Sequence, residues 1–201
     1  MAGDNHIAVI DTQTLTVVRR IPTGAFPCDL DTTPDGRYVF TPERNQDTVA
    51  QIDLRTFQVS RRISLGRGSW PHMLRVSPGG DRVWVQTARG NTNTFPGAAD
   101  LSLLKTISVG RIPVTNAFRP DGRVSYITNL GDGTISVVDT QRMTEIARIP
   151  VGPGPGVVGF SADGRFAFVS LRGGMPWRFW MPAPIGCSNI SLPERAPPAF
   201  W

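Results

Sequence analysis

The chain has 201 residues, of which 40% are hydrophobic, and a formal charge of +5 from 21 basic and 16 acidic side chains. It contains neither an apolar run long enough to cross a membrane nor an N-terminal leader with a charged and an apolar part. Arg37, Arg82, Arg123 and Arg165 recur at one position of a repeat, so the positive charge is dispersed along the chain and a nucleic-acid groove is disfavoured.

A pattern of Ile-x-x-Gly followed by a proline occurs four times. The isoleucines are Ile21, Ile63, Ile107 and Ile149, the glycines are Gly24, Gly66, Gly110 and Gly152, and the prolines are Pro27, Pro71, Pro113 and Pro155. Successive glycines are 42, 44 and 42 residues apart, and the two extra residues of the second copy lie between Gly66 and Pro71. An insertion confined to one loop is what a stack of equivalent structural units predicts.

The elements of one unit follow from alternation and turn chemistry. Strands are predicted over residues 7–11 and 15–21, and a short run to Thr33 then precedes the turn Pro34-Asp35-Gly36. Because proline presets φ and glycine permits positive φ, this turn predicts a hairpin with the strand over residues 37–41. Two more strands follow over residues 48–53 and 57–63, with counterparts over 134–139 and 143–149. No segment has a sustained helical period, so the unit is interpreted as four antiparallel strands.

Two positions distinguish the copies. Asp11, Asp53 and Asp139 end a strand before a polar turn, where a carboxylate can accept backbone N–H bonds. The third copy has Gly97 at this position, and whether its third strand forms is therefore left open.

A four-stranded unit of about 42 residues is typical of a propeller blade, because one such sheet cannot bury both of its faces alone. Tyr126-Ile127-Thr128-Asn129 and Ile149-Pro150-Val151-Gly152 resemble the repeats of the YVTN β-propeller family, and the similarity covers residues 5–174. The resemblance implies an all-β fold in which residues 1–174 form about four blades of a propeller of roughly seven. It also implies a periplasmic, secreted or cell-surface location.

The residues from Met175 onward depart from the pattern. Residues 175–201 hold six prolines and three tryptophans and show no alternation. A shifted reading frame joins the last base of each codon to the first two bases of the next codon. With a CGN codon for Arg178, this frame encodes A-x-A-x-L-D-A at positions 176–182. Its aspartate falls at the position of Met181, 42 residues after Asp139. We therefore expect a truncated propeller whose fifth blade is read out of frame after about Gly174.

Candidate catalytic and metal-binding groups are few. The sequence has two histidines and, within the repeats, one cysteine, Cys28. No Ser-His-Asp order, thiol-base pair or metal-binding histidine pair can be formed from them. The glycine-rich stretch 152–156 contains two prolines and no following helix, so it is interpreted as a loop and not as a phosphate cradle. No cofactor, metal or native disulfide is predicted.

The propeller axis is the most favourable place for a ligand. In YVTN-like blades the strand after the Gly-x-x-Pro loop lines the channel, and its first residues here are Cys28, His72, Val114 and Gly156. Only the second copy adds a polar and aromatic set nearby, which comprises Arg67, Ser69, Trp70 and His72. The alternatives for this set are ligand contact and a packed loop with a hydrogen-bonded histidine.

Two classes of function remain open. The preferred hypothesis is a non-catalytic scaffold that binds a protein or a small ligand. The alternative is part of a propeller enzyme or cofactor-binding propeller, similar to lactonases or to the haem-binding propeller of nitrite reductases. An enzyme would place carboxylates or histidines together at the channel, which the four predicted channel residues do not do. We also expect self-association through the uncovered end blades.

Overall fold

The computed structural model describes residues 5–173, in which strands dominate and the helix is a 3-10 turn, Arg44–Gln46. The strands are β1 His6–Asp11, β2 Thr16–Pro22, β3 Asp31–Thr32, β4 Tyr38–Glu43, β5 Thr48–Asp53, β6 Gln58–Ser64, β7 Pro71–Val76, β8 Val83–Thr87, β9 Thr92–Pro96, β10 Leu103–Ser108, β11 Pro113–Phe118, β12 Val124–Asn129, β13 Thr134–Asp139, β14 Thr144–Pro150, β15 Pro155–Phe160 and β16 Ala167–Leu171. The all-β prediction is confirmed. The predicted departure of residues 175–201 from the sheets lies outside the described residues.

The strands form three complete blades and two halves. Blade 1 is β3–β6, blade 2 is β7–β10 and blade 3 is β11–β14, each an antiparallel sheet in chain order. The N-terminal half-blade is β1–β2, and the C-terminal half-blade is β15–β16. The prediction of about four blades is confirmed, with the added detail that one blade is divided between the two ends of the described region.

The order of the blades places β7, β11 and β15 next to one another. The first strand of each blade packs on the first strand of the following blade, from β3 to β7, β11 and β15. These are the strands that follow the Gly-x-x-Pro loops, as the sequence predicted. We call the end at which these first strands begin the top end, and the opposite end the bottom end.

The hairpin turns at the bottom end have the predicted chemistry. Asp35, Asp121 and Asp163 each accept the N–H of the residue two positions later, at 3.0, 3.0 and 3.1 Å. The glycines of the four turns have φ between 68° and 75°. Asp11, Asp53 and Asp139 accept N–H bonds from the following turn, as expected from their positions.

The third copy forms its third strand, which the glycine at position 97 had left open. Thr92–Pro96 pairs with β8 on one side and with β10 on the other. The turn after it is the same as in the other copies, because the N–H of Leu101 donates to the carbonyl of Gly97 at 3.0 Å, as Phe57 does to Asp53. Asp100 supplies the missing carboxylate from within the turn by accepting the N–H of Ser102 at 2.9 Å.

Apolar side chains fill the space between neighbouring blades. Ile21 of the N-terminal half-blade packs with Val39 and Ile52 of blade 1. Phe40 and Val49 of blade 1 lie in one cluster with five valine, leucine and alanine side chains of blade 2 and with Leu101. Between blades 2 and 3, the Trp84 ring meets the rings of Phe95 and Phe118 edge to face at 4.6 and 5.1 Å. Each such buried side chain contributes about 1.5–3 kcal/mol, and stacking is therefore what stabilises the sheets.

No helix within residues 5–173 has the length and apolar composition that a membrane span requires.

Candidate functional site

Each blade begins at the top end with a residue in the left-handed conformation followed by proline. These residues are Phe26, Trp70, Ile112 and Gly154, with φ of 62°, 55°, 52° and 71°. Three of them are not glycine, so the surrounding structure must hold a conformation that L residues rarely adopt.

A side chain of the preceding blade provides this support. Asn5, Asp47 and Asn91 accept the N–H of Phe26, Trp70 and Ile112 at 3.0, 2.8 and 3.0 Å. Each contact joins two successive units, and we call these three side chains the inter-blade tethers. They were not predicted from the sequence, although their spacing of 42 and 44 residues matches the repeat period.

The insertion of blade 2 is organised by its tether. Besides Trp70, the carboxylate of Asp47 binds the N–H of Gly68 at 2.6 Å and the hydroxyl of Ser69 at 3.4 Å. Ser69 and Trp70 are buried as a result, whereas Arg67 remains exposed. The structure therefore places the four candidate residues in one loop and strand start, with Arg67 at the surface and the others beneath it.

The ring of Trp70 is packed between cations and His72. The guanidinium of Arg44 lies 4.8 Å from the Trp70 ring centre and that of Arg89 lies 5.1 Å from it. Arg44 is also 4.8 Å from the ring of Phe26. Cation–π contacts of this kind fix the positions of the guanidinium groups and leave them positively charged.

The predicted channel residues are joined across the blades. The thiol of Cys28 contacts the carbonyl of His72 at 2.9 Å, and Nδ1 of His72 lies 3.2 Å from the carbonyl of Val114. At Gly156 the space of a side chain is taken by Arg172, whose Nε lies 2.6 Å from where a Cβ would stand. His72 is only 4% exposed. Cys28, His72 and Val114 are thus linked in a row, which Gly156 extends on β15, the strand that packs on β11. We call these four residues the channel row.

Burial sets the protonation of the two titratable groups in this row. Removal of water from His72, followed by the charge of Arg44, lowers the pKa of the imidazole to about 4. Burial raises the pKa of the Cys28 thiol. Both groups are consequently neutral near pH 7, and because a carbonyl can only accept, the hydrogen of His72 is assigned to Nδ1.

The top end carries more positive than negative charge. Its loops hold Arg44, Arg67, Arg89, Arg111 and Arg172. The nearby acids are occupied: Glu43 is buried against Arg62 and the N–H of Gly24, Asp47 binds the insertion, and Asp132 pairs with Arg111 at 2.8 Å. Arg67 and Arg89 form no ion pair within residues 5–173. Such an arrangement can attract and bind an anion.

Within the described region, no group of three His, Cys, Asp or Glu side chains is arranged to hold a metal ion.

The comparisons with known proteins agree with this architecture. A family model described as YNCE-like beta-propeller matches residues 2–176. Protein NirF of Pseudomonas aeruginosa is 28% identical over 203 aligned residues, which cover 95% of this chain and 51% of that protein. The chain thus spans about half the length of this curated relative.

Solved structures show the same fold. Hydrazine synthase of Kuenenia stuttgartiensis has a TM-score of 0.79 at 18% identity, over 92% of this chain and 54% of that chain. NirN, described as a dihydro-heme d1 dehydrogenase in complex with DHE, has a TM-score of 0.71 at 22% identity, over 85% of this chain and 38% of that chain.

Proposed function

Because the chain belongs to the YNCE-like beta-propeller family, we propose that it is a non-catalytic scaffold that binds a small anionic ligand at its top end. The sequence alone left protein and small-ligand partners open. The arginine-bearing loops around the first strands favour a small anion, since the family resemblance implies that these strands line the channel. A periplasmic, secreted or cell-surface location is part of the same proposal.

The observation that supports this function is the contrast in charge between the two ends. At the bottom end, four arginines pair with neighbouring aspartates, in Arg55–Asp53, Arg82–Asp81, Arg119–Asp121 and Arg142–Asp139. The other three, Arg37, Arg123 and Arg165, form no ion pair within residues 5–173, but each follows a turn aspartate two positions earlier, so the bottom end is not in excess of positive charge. At the top end, Arg67 and Arg89 form a positively charged surface beside Trp70, and no ion pair among the described residues neutralises it. A ligand carboxylate or phosphate would supply the missing negative charge.

The four candidate residues have different roles in this proposal. Arg67 contacts the ligand together with Arg89, which was not among the sequence candidates. Trp70 positions Arg89 and Arg44, Ser69 keeps the loop on Asp47, and His72 holds the channel row together as a neutral hydrogen-bonding group.

Binding of protoporphyrin IX, a planar dianion, tests the proposed function. Its fluorescence change on titration with the protein should show tighter binding of the free acid than of its dimethyl ester. The double variant Arg67→Ala/Arg89→Ala should weaken binding of the acid about two- to thirtyfold, because two exposed ion pairs at about 0.2–1 kcal/mol each are lost. Arg123→Ala, an exposed arginine of the bottom end, is the matched control. Equal affinity for acid and ester, or an equal loss in the control, would exclude an anion site at the top end.

In a second candidate function, the chain is part of a tetrapyrrole-binding propeller. The resemblance of the repeats to the haem-binding propeller of nitrite reductases favours it, and NirN, which has the same fold, is described as a dihydro-heme d1 dehydrogenase in complex with DHE. The arginines of the top end fit the carboxylates of such a molecule. His72 fits less well as an iron ligand, because the imidazole is buried next to Trp70 at a ring distance of 6.3 Å and bonded to Val114.

Haemin distinguishes the two candidates. If the histidine binds iron, His72→Ala should abolish the change in the haemin absorption band while the melting temperature and the binding of metal-free protoporphyrin IX persist. An absorption band that is the same in His72→Ala and in the Arg123→Ala control would leave only the anion-binding role. The same pair of variants in a repaired full-length protein would test whether His72 contributes to binding there.

A further inference from the structure

The two half-blades at the ends of the described region are complementary. By the repeat spacing, β15–β16 corresponds to the first two strands of a blade and β1–β2 to the last two. In complete blades the second and third strands pair, as β12 does with β13. Within residues 5–173, β16 pairs only with β15, and β1 pairs only with β2. One half therefore offers the strand edge that the other half lacks.

Side chains that complete blades bury are exposed in the half-blades. Ile10 is 58% exposed, whereas its equivalents Ile52 and Val138 are fully buried. Phe168 is 66% exposed, whereas its equivalent Phe40 is fully buried. Exposed apolar strands with free edges favour association with another strand.

We propose that a second copy of this chain covers these edges, so that β16 of each copy pairs with β1 of the other. Each chain contributes three complete blades and one half of each of the two shared blades. Two copies would thus form a closed ring of eight blades in which β1 and β16 are both paired on either side, within the four to eight blades that propellers use. The ring has one blade more than the roughly seven expected for the native propeller.

The edges themselves support a second copy as the occupant. One copy carries both halves that a shared blade needs, the first two strands in β15–β16 and the last two in β1–β2. Because both junctions of the ring are identical, one complementary pair of edges is sufficient to close it.

The register of the junction follows from the complete blades. Val39 pairs with Ile52 in blade 1, and Ser125 pairs with Val138 in blade 3. At the equivalent positions, Ala167 of one copy should face Ile10 of the other. A shift by one residue would bring Val9 to this place and turn its side chain to the opposite face.

Disulfide trapping tests this register. In the full chain with Cys28 and Cys187 changed to serine, we expect Ala167→Cys and Ile10→Cys copies to form a cross-linked dimer when mixed, and neither alone. Paired strands bring Cα atoms within the distance that a disulfide spans. Ala167→Cys mixed with Val9→Cys is the control, and cross-linking at the same rate there would contradict the register.

Solution mass tests the ring itself. The native chain should have twice its 21.9 kDa mass, and Ile10→Lys should reduce it to a monomer. Leu104→Lys, at a comparably exposed leucine on the last strand of blade 2, should remain dimeric because both neighbouring blades belong to the same chain. A monomeric native chain, a series of larger oligomers, or an Ile10→Lys variant that stays dimeric would each overturn the proposal. A monomer would point instead to the residues after 173 or a different protein as the occupant.

Discussion

Single side chains of one unit determine how the next unit begins. Asn5, Asp47 and Asn91 hold Phe26, Trp70 and Ile112 in the left-handed conformation. Asparagine and aspartate are suited to this because a short side-chain oxygen reaches a nearby N–H. The sequence contained the signal as an Asn or Asp at the repeat spacing. It could not show the partner, because that N–H belongs to a loop 21–23 residues further along the chain.

Replacement of Asp47 should show the importance of a tether. We expect Asp47→Ala to lower the free energy of unfolding by about 1–3 kcal/mol, because it leaves the N–H of Trp70 without an acceptor. Asp47→Asn keeps the acceptor that Asn5 and Asn91 provide in the other copies, so its loss should be smaller. Urea denaturation at one protein concentration measures both. A loss in Asp47→Asn as large as in Asp47→Ala would contradict the tether.

His72 should make stability depend on pH. The unfolded chain binds the proton with a pKa near 6.5 and the folded chain with a pKa of about 4, so protonation favours unfolding. The free energy of unfolding should therefore decrease between about pH 6.5 and pH 4, by about 3 kcal/mol for this group, and this effect should be absent above that range. Urea midpoints measured across this pH range test it.

His72→Asn is the control for the pH dependence, because its side-chain amide retains a donor for the carbonyl of Val114. The variant should lose the decrease between pH 6.5 and pH 4. If its profile matches that of the native chain, other groups determine the pH dependence.

At the scale of strands and turns, most of the architecture could be predicted from the sequence. Thr48–Asp53 and Thr134–Asp139 have the predicted bounds. The last strand of a blade begins one residue later than predicted, since Leu15, Phe57 and Met143 have positive φ and belong to the turn. The third strand of blade 2 was left open by the sequence because the turn carboxylate comes from Asp100 instead of position 97. In this turn, Asp100 therefore has the role expected of an aspartate at position 97.

A glycine exchange tests the turn interpretation. Gly36 has φ of 68°, and no atom lies within 4 Å of the place that a Cβ would occupy. Gly36→Ala should therefore destabilise the chain through its backbone alone, by about 1–2 kcal/mol. Gly79→Ala, in the equivalent turn of blade 2 without positive φ, should be close to neutral. Thermal unfolding of the two variants compares them directly, and equal losses would show that the positive φ is not the cause.

At the scale of the whole molecule, the repeat count predicted the propeller but not the division into half-blades. The Ile-x-x-Gly pattern gives the number of repeats, four, but not the point at which a blade begins. The sheets show that each blade begins after the glycine. The channel row was predicted from the same resemblance, but its burial was not, because burial depends on packing between blades. Out-of-frame reading after about Gly174 remains a proposal, and the nucleotide sequence of the locus should encode A-x-A-x-L-D-A in the shifted frame without an early stop.

The most direct test of the central claim, an anion site at the top end, is hydrogen–deuterium exchange with and without protoporphyrin IX. We expect slower exchange in peptides that cover residues 64–72 and 87–91, because they contain Arg67, Arg89 and the tethered insertion. Peptides that cover the bottom-end turns at residues 98–102 and 119–123 should be unchanged. Protection confined to the bottom-end turns, or equal at both ends, would contradict the claim.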